Sequence, residues 1–429
     1  MLKYLWTVTQ DLFVTVTLVT LIHAVLSRLY EKYGRRCHLA GICAGVASAI
    51  ALAAVKGTSN KIVSSRWNHH IYVFVMAFTL AFALLVALIG RRRKDRPGLT
   101  GALTCLAGAG LSATMIFYAL PGVLLYPFNF NTMGEGYLSS YYMVRMAGWL
   151  LALVLLLVYS RTLYRCAINI QPFALASGIT CAGALTNAAY CFGRFFAPWV
   201  NRAKWLDWPV RYSDETYGWI GDFMMFTANH AMLFTWLMVA LAAAMLSACF
   251  IQNLRVTEPW DNPAQRRKLR AWHRGYRRVA CAGLGAVLIA TLFMTAVKSY
   301  DTRVIELSAP ETFTVDDENI YVPVENVNDF HLHRFEYQTE NGVNVRWIVV
   351  RKPNSAAYGV GLDACDVCGN AGYYERNGQV VCRRCDVVMN LNTIGFKGGC
   401  NPIPLSYEVG DGQLIFKLSD IIAGEREFK

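Results

Sequence analysis

From the N-terminus to Lys298 the chain alternates long apolar stretches with short polar ones; beyond Lys298 the apolar runs are short and punctuated by turns. A helix crossing about 30 Å of hydrocarbon needs about 20 apolar residues. Stretches near 9–28, 39–55, 72–90, 99–120, 141–160, 167–191, 223–251 and 279–298 meet that requirement. The pattern therefore predicts a polytopic α-helical membrane protein with about eight transmembrane helices. The stretch at 39–55 is the shortest of the set and is rich in Ala and Gly. The stretch at 9–28 lacks a clear basic n-region and a small-residue cleavage site, and a basic loop follows it, so it reads as a span and not a cleavable signal. After Lys298, β-branched runs at 319–324, 331–338, 344–351, 378–382 and 413–418 are separated by turn signals such as Glu340-Asn341-Gly342, Arg376-Asn377-Gly378 and Gly410-Asp411-Gly412. This predicts a mainly-β, mostly antiparallel domain of roughly 125 residues, enough for a core of its own. The expected organisation is a membrane domain over 1–298 and a separate domain over 299–429.

Composition agrees with the pattern. The chain is 55% hydrophobic and 16% charged, which argues against one large soluble enzyme and against disorder. Thirteen cysteines are too sparse for a disulfide scaffold. The charge is divided: the first 298 residues carry 29 Lys/Arg against 10 Asp/Glu, and the remainder carries 12 against 19. Basic residues gather in alternate loops: Arg28, Lys32, Arg35 and Arg36; Arg91, Arg92, Arg93, Lys94 and Arg96; Arg161 and Arg165; and the run from Arg255 to Arg278. The positive-inside rule makes these loops cytoplasmic and puts both termini and the acidic C-terminal domain outside. The basic balance thus points to a bacterial cytoplasmic membrane and its lipid, and not to nucleic acid. Outer-loop aromatics, including Trp67, Tyr126, Phe128, Tyr137, Trp199, Trp205, Trp208, Tyr212, Tyr217 and Trp219, read as an interfacial belt, with a docking surface as the alternative.

Ionisable groups within spans are costly and merit a functional reading. His23 and His230 are candidates to ligate a haem b between helices, against a simple interhelical hydrogen bond. Met143, Met146, Met224, Met225 and Met232 are candidates to pass Cu(I), against plain packing. No GxxxxGK[ST] motif occurs, so the chain carries no P-loop ATPase site. The spans offer little to coordinate a hard cation and suit a scaffold, an electron conduit or a quinone site better than a cation pore.

The strongest chemical signal is Cys365-x-x-Cys368-Gly369, Cys382-x-x-Cys385 and Cys400. Paired CxxC turns each present two thiolates to one ion, and Gly369 relieves the first turn. Four thiolates suit zinc, a single iron or an iron–sulfur cluster; two disulfides are the alternative, and would leave Cys400 over. Cys400, in Gly398-Gly399-Cys400-Asn401-Pro402, is either a ligand or a separate redox thiol. His331 and His333 stand two apart in a strand-like run and so face one side, as further metal ligands or as ordinary exposed histidines.

Several segments resemble one family. Gly361-Leu362-Asp363-Ala364-Cys365-Asp366-Val367-Cys368, Gly372-Tyr373-Tyr374, Cys382-x-x-Cys385, Ile394-Gly395-Phe396-Lys397-Gly398-Gly399-Cys400-Asn401-Pro402-Ile403-Pro404 and Leu332-His333-Arg334-Phe335-x-Tyr337 look like the FtrD-like family of bacterial membrane iron–sulfur proteins. The resemblance implies redox support for iron uptake beside an iron permease and periplasmic iron- or copper-binding proteins. It also implies Cys365, Cys368, Cys382, Cys385 and Cys400 as ligand candidates, with His333 behind them. The spacing differs from the C-x2-C-x2-C-x3-C-P run of bacterial ferredoxins. Three functions stay open: a membrane-anchored redox or metal-handling component of iron uptake, a zinc-stabilised docking protein, and a thiol–disulfide or quinone-linked oxidoreductase.

Overall fold

The structure, a computed structural model, describes residues 2–58, 64–89, 98–130, 140–205, 218–303 and 305–429, the last without 354, 367, 377, 385, 386 and 399. The basic residues at 91–96, the outer-loop residues Tyr137, Trp208, Tyr212 and Tyr217, and Cys385 lie outside the described residues. The chain forms two compact units, Met1–Thr302 and Arg303–Lys429.

The first unit is a helix bundle: α1 (Leu2–Leu29), α2 (Glu31–Thr58), α3 (Ser64–Ile89), α4 (Leu99–Leu125), α5 (Ser140–Asn169), α6 (Phe173–Trp205), α7 (Gly218–Asn229), α8 (Ala231–Gln252) and α9 (Pro263–Leu292), with α9 running on through a π turn into α10 (Lys298–Asp301). Seven stretches are long and apolar enough to cross a membrane, so the chain is a multi-pass membrane protein. Helix α6 is as long as these and packs among them, but Ser177, Thr180 and Asn187 make it more polar. Three expected boundaries move. Pro172 stops α5 and starts α6, so the stretch at 167–191 begins after a turn. The stretch at 223–251 is interrupted at His230, which leaves α8 as the span. The basic run before the last span is helical: Asn262 caps α9 by accepting the Gln265 N–H at 2.8 Å, and Pro263 occupies its first turn.

Helix α1 is the bundle's centre. Its apolar stretch is 67% buried, against 50% or less for every other span. Two of its threonines bond the neighbouring helix α5: Thr17 to the Tyr159 hydroxyl and Thr20 to Ser160, both at 2.7 Å. Lipid tails are as apolar as the side chains, so interhelical hydrogen bonds and close backbone contact replace hydrophobic driving force. Close contact is greatest between α2 and α4. A Cβ on Gly41 would sit 2.7 Å from the Ala109 carbonyl oxygen, and one on Gly45 2.9 Å from the Ala113 Cα. The Ala/Gly composition of the second stretch is thus a packing surface.

The bundle has two distinct ends. At one, Trp6 donates to Asp301 at 2.8 Å and Lys298 to Gln10 at 2.9 Å, joining the start of α1 to the end of the α9–α10 rod. At the other, Arg28 donates to the Ala167 and Ile170 carbonyls (3.2 and 2.6 Å), and the Gln171 N–H donates to Gln252 at 2.9 Å. His273 bridges Asn253 (2.8 Å) and Glu258 (2.9 Å) in the connection between α8 and α9.

The second unit is mainly β, with three antiparallel sheets ordered β1-β2-β9-β8, β3-β4-β5 and β6-β7. The strands are β1 (Thr314–Val315), β2 (Asn319–Pro323), β3 (His333–Gln338), β4 (Asn344–Arg351), β5 (Tyr358–Leu362), β6 (Tyr373–Arg376), β7 (Gln379–Cys382), β8 (Glu408–Gly410) and β9 (Gln413–Lys417), followed by α11 (Leu418–Ala423). Strand β4 divides two cores. Val345, Trp347 and Val349 face one, where Trp347 stacks on Phe335 at 5.6 Å. Ile348 and Val350 face the other, which contains Cys365, Cys368 and Cys382. A strand buried on both faces reads as an unbroken apolar run, as 347–350 does.

Replacing Gly45 by Leu is expected to lower the thermal stability of the detergent-solubilised protein, since overpacking of this kind costs about 1–3 kcal/mol or more. Gly57→Ala on the same helix is the control, because its Cβ would meet only the Leu125 side chain at 3.7 Å. Equal melting of Gly45→Leu and Gly57→Ala would contradict this packing.

Candidate metal centre

The thiols of Cys365, Cys368 and Cys382 are buried and lie within 4.8 Å of one another. Each is placed by backbone geometry. Cys365 follows β5 and closes a narrow loop with Gly369, with reciprocal backbone bonds of 3.1 and 2.9 Å. Gly369 takes φ +64°, a left-handed conformation open to glycine, and this aims the Cys368 N–H at the Cys365 sulfur, 3.1 Å away. Cys382 ends β7 directly opposite Tyr373 on β6, and its N–H donates to the Val387 carbonyl at 2.9 Å. Arg384 donates to the Cys368 carbonyl at 3.2 Å, tying the second cysteine turn to the first.

The loop carrying Cys400 reaches the same core by crossing β5. A Cβ on Gly359 would meet Ile394 at 2.9 Å, and one on Gly361 would meet Pro402 at 2.7 Å. These two glycines let Ile394 and Pro402 lie on the strand, where the Leu362 N–H donates to the Ile403 carbonyl at 2.7 Å and the Ile403 N–H to the Ala364 carbonyl at 3.0 Å. Cys400 is half-buried against the cysteine core, and its carbonyl accepts the Tyr373 hydroxyl at 2.6 Å. Burial, reinforced by the neighbouring Cys365, Cys382 and Cys400 thiols, pushes the Tyr373 hydroxyl well above its usual pKa, so it stays a donor.

An ion cluster around the fully buried Asp363 and Arg334, with Arg346 partly buried, fixes this arrangement from behind. Asp363 accepts from Arg334 and from Arg346, each at 3.1 Å, and from the Tyr373 N–H at 2.8 Å. Arg334 also donates to Ser308 and to the Tyr373 carbonyl, and Arg346 to the Asn370 carbonyl at 2.9 Å. Charges so deep are tolerated only when every hydrogen-bonding direction is used. The cluster's signal in the sequence is an acidic residue in an otherwise apolar run, two positions before Cys365.

The histidines are held differently. His333 is buried, with Nδ1 at 2.9 Å from Glu311 and Nε2 at 2.7 Å from Asp329, so both ring nitrogens face carboxylates. His331 is exposed and meets Glu375 at 2.8 Å. Neither belongs to the thiol cluster among the described residues. In the bundle, His23 Nδ1 lies 3.0 Å from His38 Nδ1, and His38 Nε2 lies 2.7 Å from the Ser112 hydroxyl. The structure brings His23 together with His38 and does not bring it together with His230. His230 is exposed at the α7–α8 junction and stacks on Phe226 at 4.8 Å. His38 stands one residue before the expected second span, so hydropathy alone does not mark it as a membrane histidine.

Fold and site together define a multi-pass membrane protein bearing a compact β domain with clustered buried thiols. Residues 327–428 match the family model described as membrane iron-sulfur containing protein FtrD-like, so the C-terminal unit carries an FtrD-like domain. No curated protein and no solved structure shows a significant match to the chain.

Two outcomes follow for the isolated domain, residues 303–429. Asp363→Asn is expected to destabilise it by about 3–5 kcal/mol in denaturant unfolding, because the buried Arg334 guanidinium and the partly buried Arg346 guanidinium lose their counter-charge; an unchanged midpoint would contradict that. Glu375 raises the pKa of His331 above 6.5, so the pair stabilises the fold most below that pH and fades as pH rises through the raised value. The stability difference between wild type and His331→Gln should therefore shrink from acid to alkaline pH; a constant difference would contradict it.

Proposed function

We propose that the protein is a membrane-anchored redox or metal-handling component of a bacterial iron-uptake system, with Cys365, Cys368, Cys382 and Cys385 as ligands of an iron or iron–sulfur centre. The observation that carries this reading is the buried thiol cluster inside an FtrD-like domain. The donor set fits: three soft thiols lie close enough for one centre, with a backbone N–H already directed at a sulfur. An iron or iron–sulfur centre, when bound, supplies one-electron chemistry. The chain's own residues provide the rest. Burial of the three cysteines excludes water, and the Arg384 side chain puts positive charge beside a site whose ligands are negative. The Tyr373 hydroxyl locks the Cys400 loop, and Cys400, partly exposed, is a fifth ligand or a thiol through which metal enters.

The location follows the same logic. The basic loops mark the cytoplasmic side, and the two ends of the first unit's chain share the opposite end of the bundle. The cysteine domain then faces outward, where an iron permease and periplasmic iron- or copper-binding proteins are its partners. The acidic balance of this domain suits docking to a basic or metal-bearing surface.

Anaerobically purified wild-type protein is expected to contain iron, and Cys365→Ser and Cys382→Ser are expected to lose it almost entirely by elemental analysis. Wild-type protein holding stoichiometric zinc and no iron would replace this reading with that of a zinc-stabilised docking domain.

A further inference from the structure

A cavity of about 380 Å³ lies inside the helix bundle, among α1, α2, α3, α4, α6 and α8. Its volume is in the range of small-molecule sites. One part is polar: Asp11, Lys56, Asn187 and the hydroxyls of Tyr72 and Tyr118 line it. The lining is otherwise largely apolar and soft, with Val75, Met115, Phe234 and Met238. The two tyrosine hydroxyls lie 3.2 Å apart, so one donates to the other and the second proton remains for another acceptor. The Asn187 amide nitrogen lies 4.0 Å from the Met115 sulfur, a poor acceptor that an oxygen would readily replace. Asp11 is held at its edge by a 2.5 Å bond from the Tyr126 hydroxyl.

We propose that this cavity binds the head group of a membrane quinone. Such a head group is a flat apolar ring with an oxygen at each end. It needs hydrogen-bond partners for its oxygens and soft apolar walls against its faces, and the lining supplies both kinds of group. A metal cation fits poorly: among the described residues Asp11 is the one lining carboxylate and Cys191 the one lining thiol, and Lys56 adds positive charge. A lipid-soluble ligand also suits a cavity walled by membrane helices. The assignment goes beyond the external metal site and does not depend on which metal that site holds.

The test is equilibrium binding of two soluble quinones, ubiquinone-1 and menadione, to the full-length protein in nanodiscs, followed by calorimetry. Saturable binding of at least one quinone by wild type is expected. Gly122 lines the cavity, and a Cβ there would meet nothing within 4 Å, so Gly122→Leu fills the void without a backbone clash and is expected to abolish binding. Tyr118→Phe and Asn187→Leu, each removing one hydrogen-bonding group, are expected to weaken it about tenfold. Each variant is first checked for wild-type elution and melting. Cys365→Ser is expected to bind quinone as wild type does, which separates this assignment from the external metal site. Absence of saturable binding to folded wild type, or wild-type affinity in Gly122→Leu, overturns the proposal.

Discussion

The buried Arg334–Asp363–Arg346 cluster is the constraint on which the cysteine domain depends. One carboxylate, wholly out of water, joins strand β3, strand β4, the segment leading from β5 to Cys365, and the first residue of β6. Removing Asp363 would strand the buried Arg334 guanidinium without its counter-charge, so the elements that carry the cysteines cannot drift apart cheaply. Tyr373 extends the same restraint. Its N–H is fixed by Asp363, its ring is buried opposite Cys382, and its hydroxyl holds the Cys400 loop. The contacts that build the fold are therefore the same ones that gather the thiols.

The membrane unit is held by a different balance. Apolar side chains gain nothing by leaving lipid for one another, so association relies on small residues and shared hydroxyls. Gly41 and Gly45 against Ala109 and Ala113 supply the first, and Thr17 and Thr20 against Tyr159 and Ser160 the second. Where this close packing gives way, the bundle keeps a cavity lined by Asp11, Lys56 and two tyrosines. Ionisable groups at such a place are expensive and call for a functional account.

Much of this was legible along the chain. Span length and hydropathy located the helices, because lipid imposes one period and one length. The runs at 319–324, 344–351 and 413–418 fall on β2, β4 and β9, and Gly342 and Gly412 adopt the positive φ their turns required. What escaped had physical causes. Strand β5, Tyr-Gly-Val-Gly-Leu, is poor in strand formers because its glycines admit a crossing loop, a tertiary demand invisible locally. The basic run before the last span looked like a loop by charge, yet Asn262 and Pro263 start a helix there. The CxxC spacing announced a thiol site, but the roles of Asp363 and Tyr373 depend on contacts far apart in sequence. The pairing of His23 with His38 likewise rests on how α1 and α2 meet, which no periodicity encodes.

The central claim is that the clustered thiols hold a redox-active iron centre. Film voltammetry of the domain, residues 303–429, purified without oxygen, tests it most directly. A reversible one-electron wave that disappears in Cys365→Ser is the expected result. A folded domain with a full complement of metal and no wave in the accessible range would contradict it.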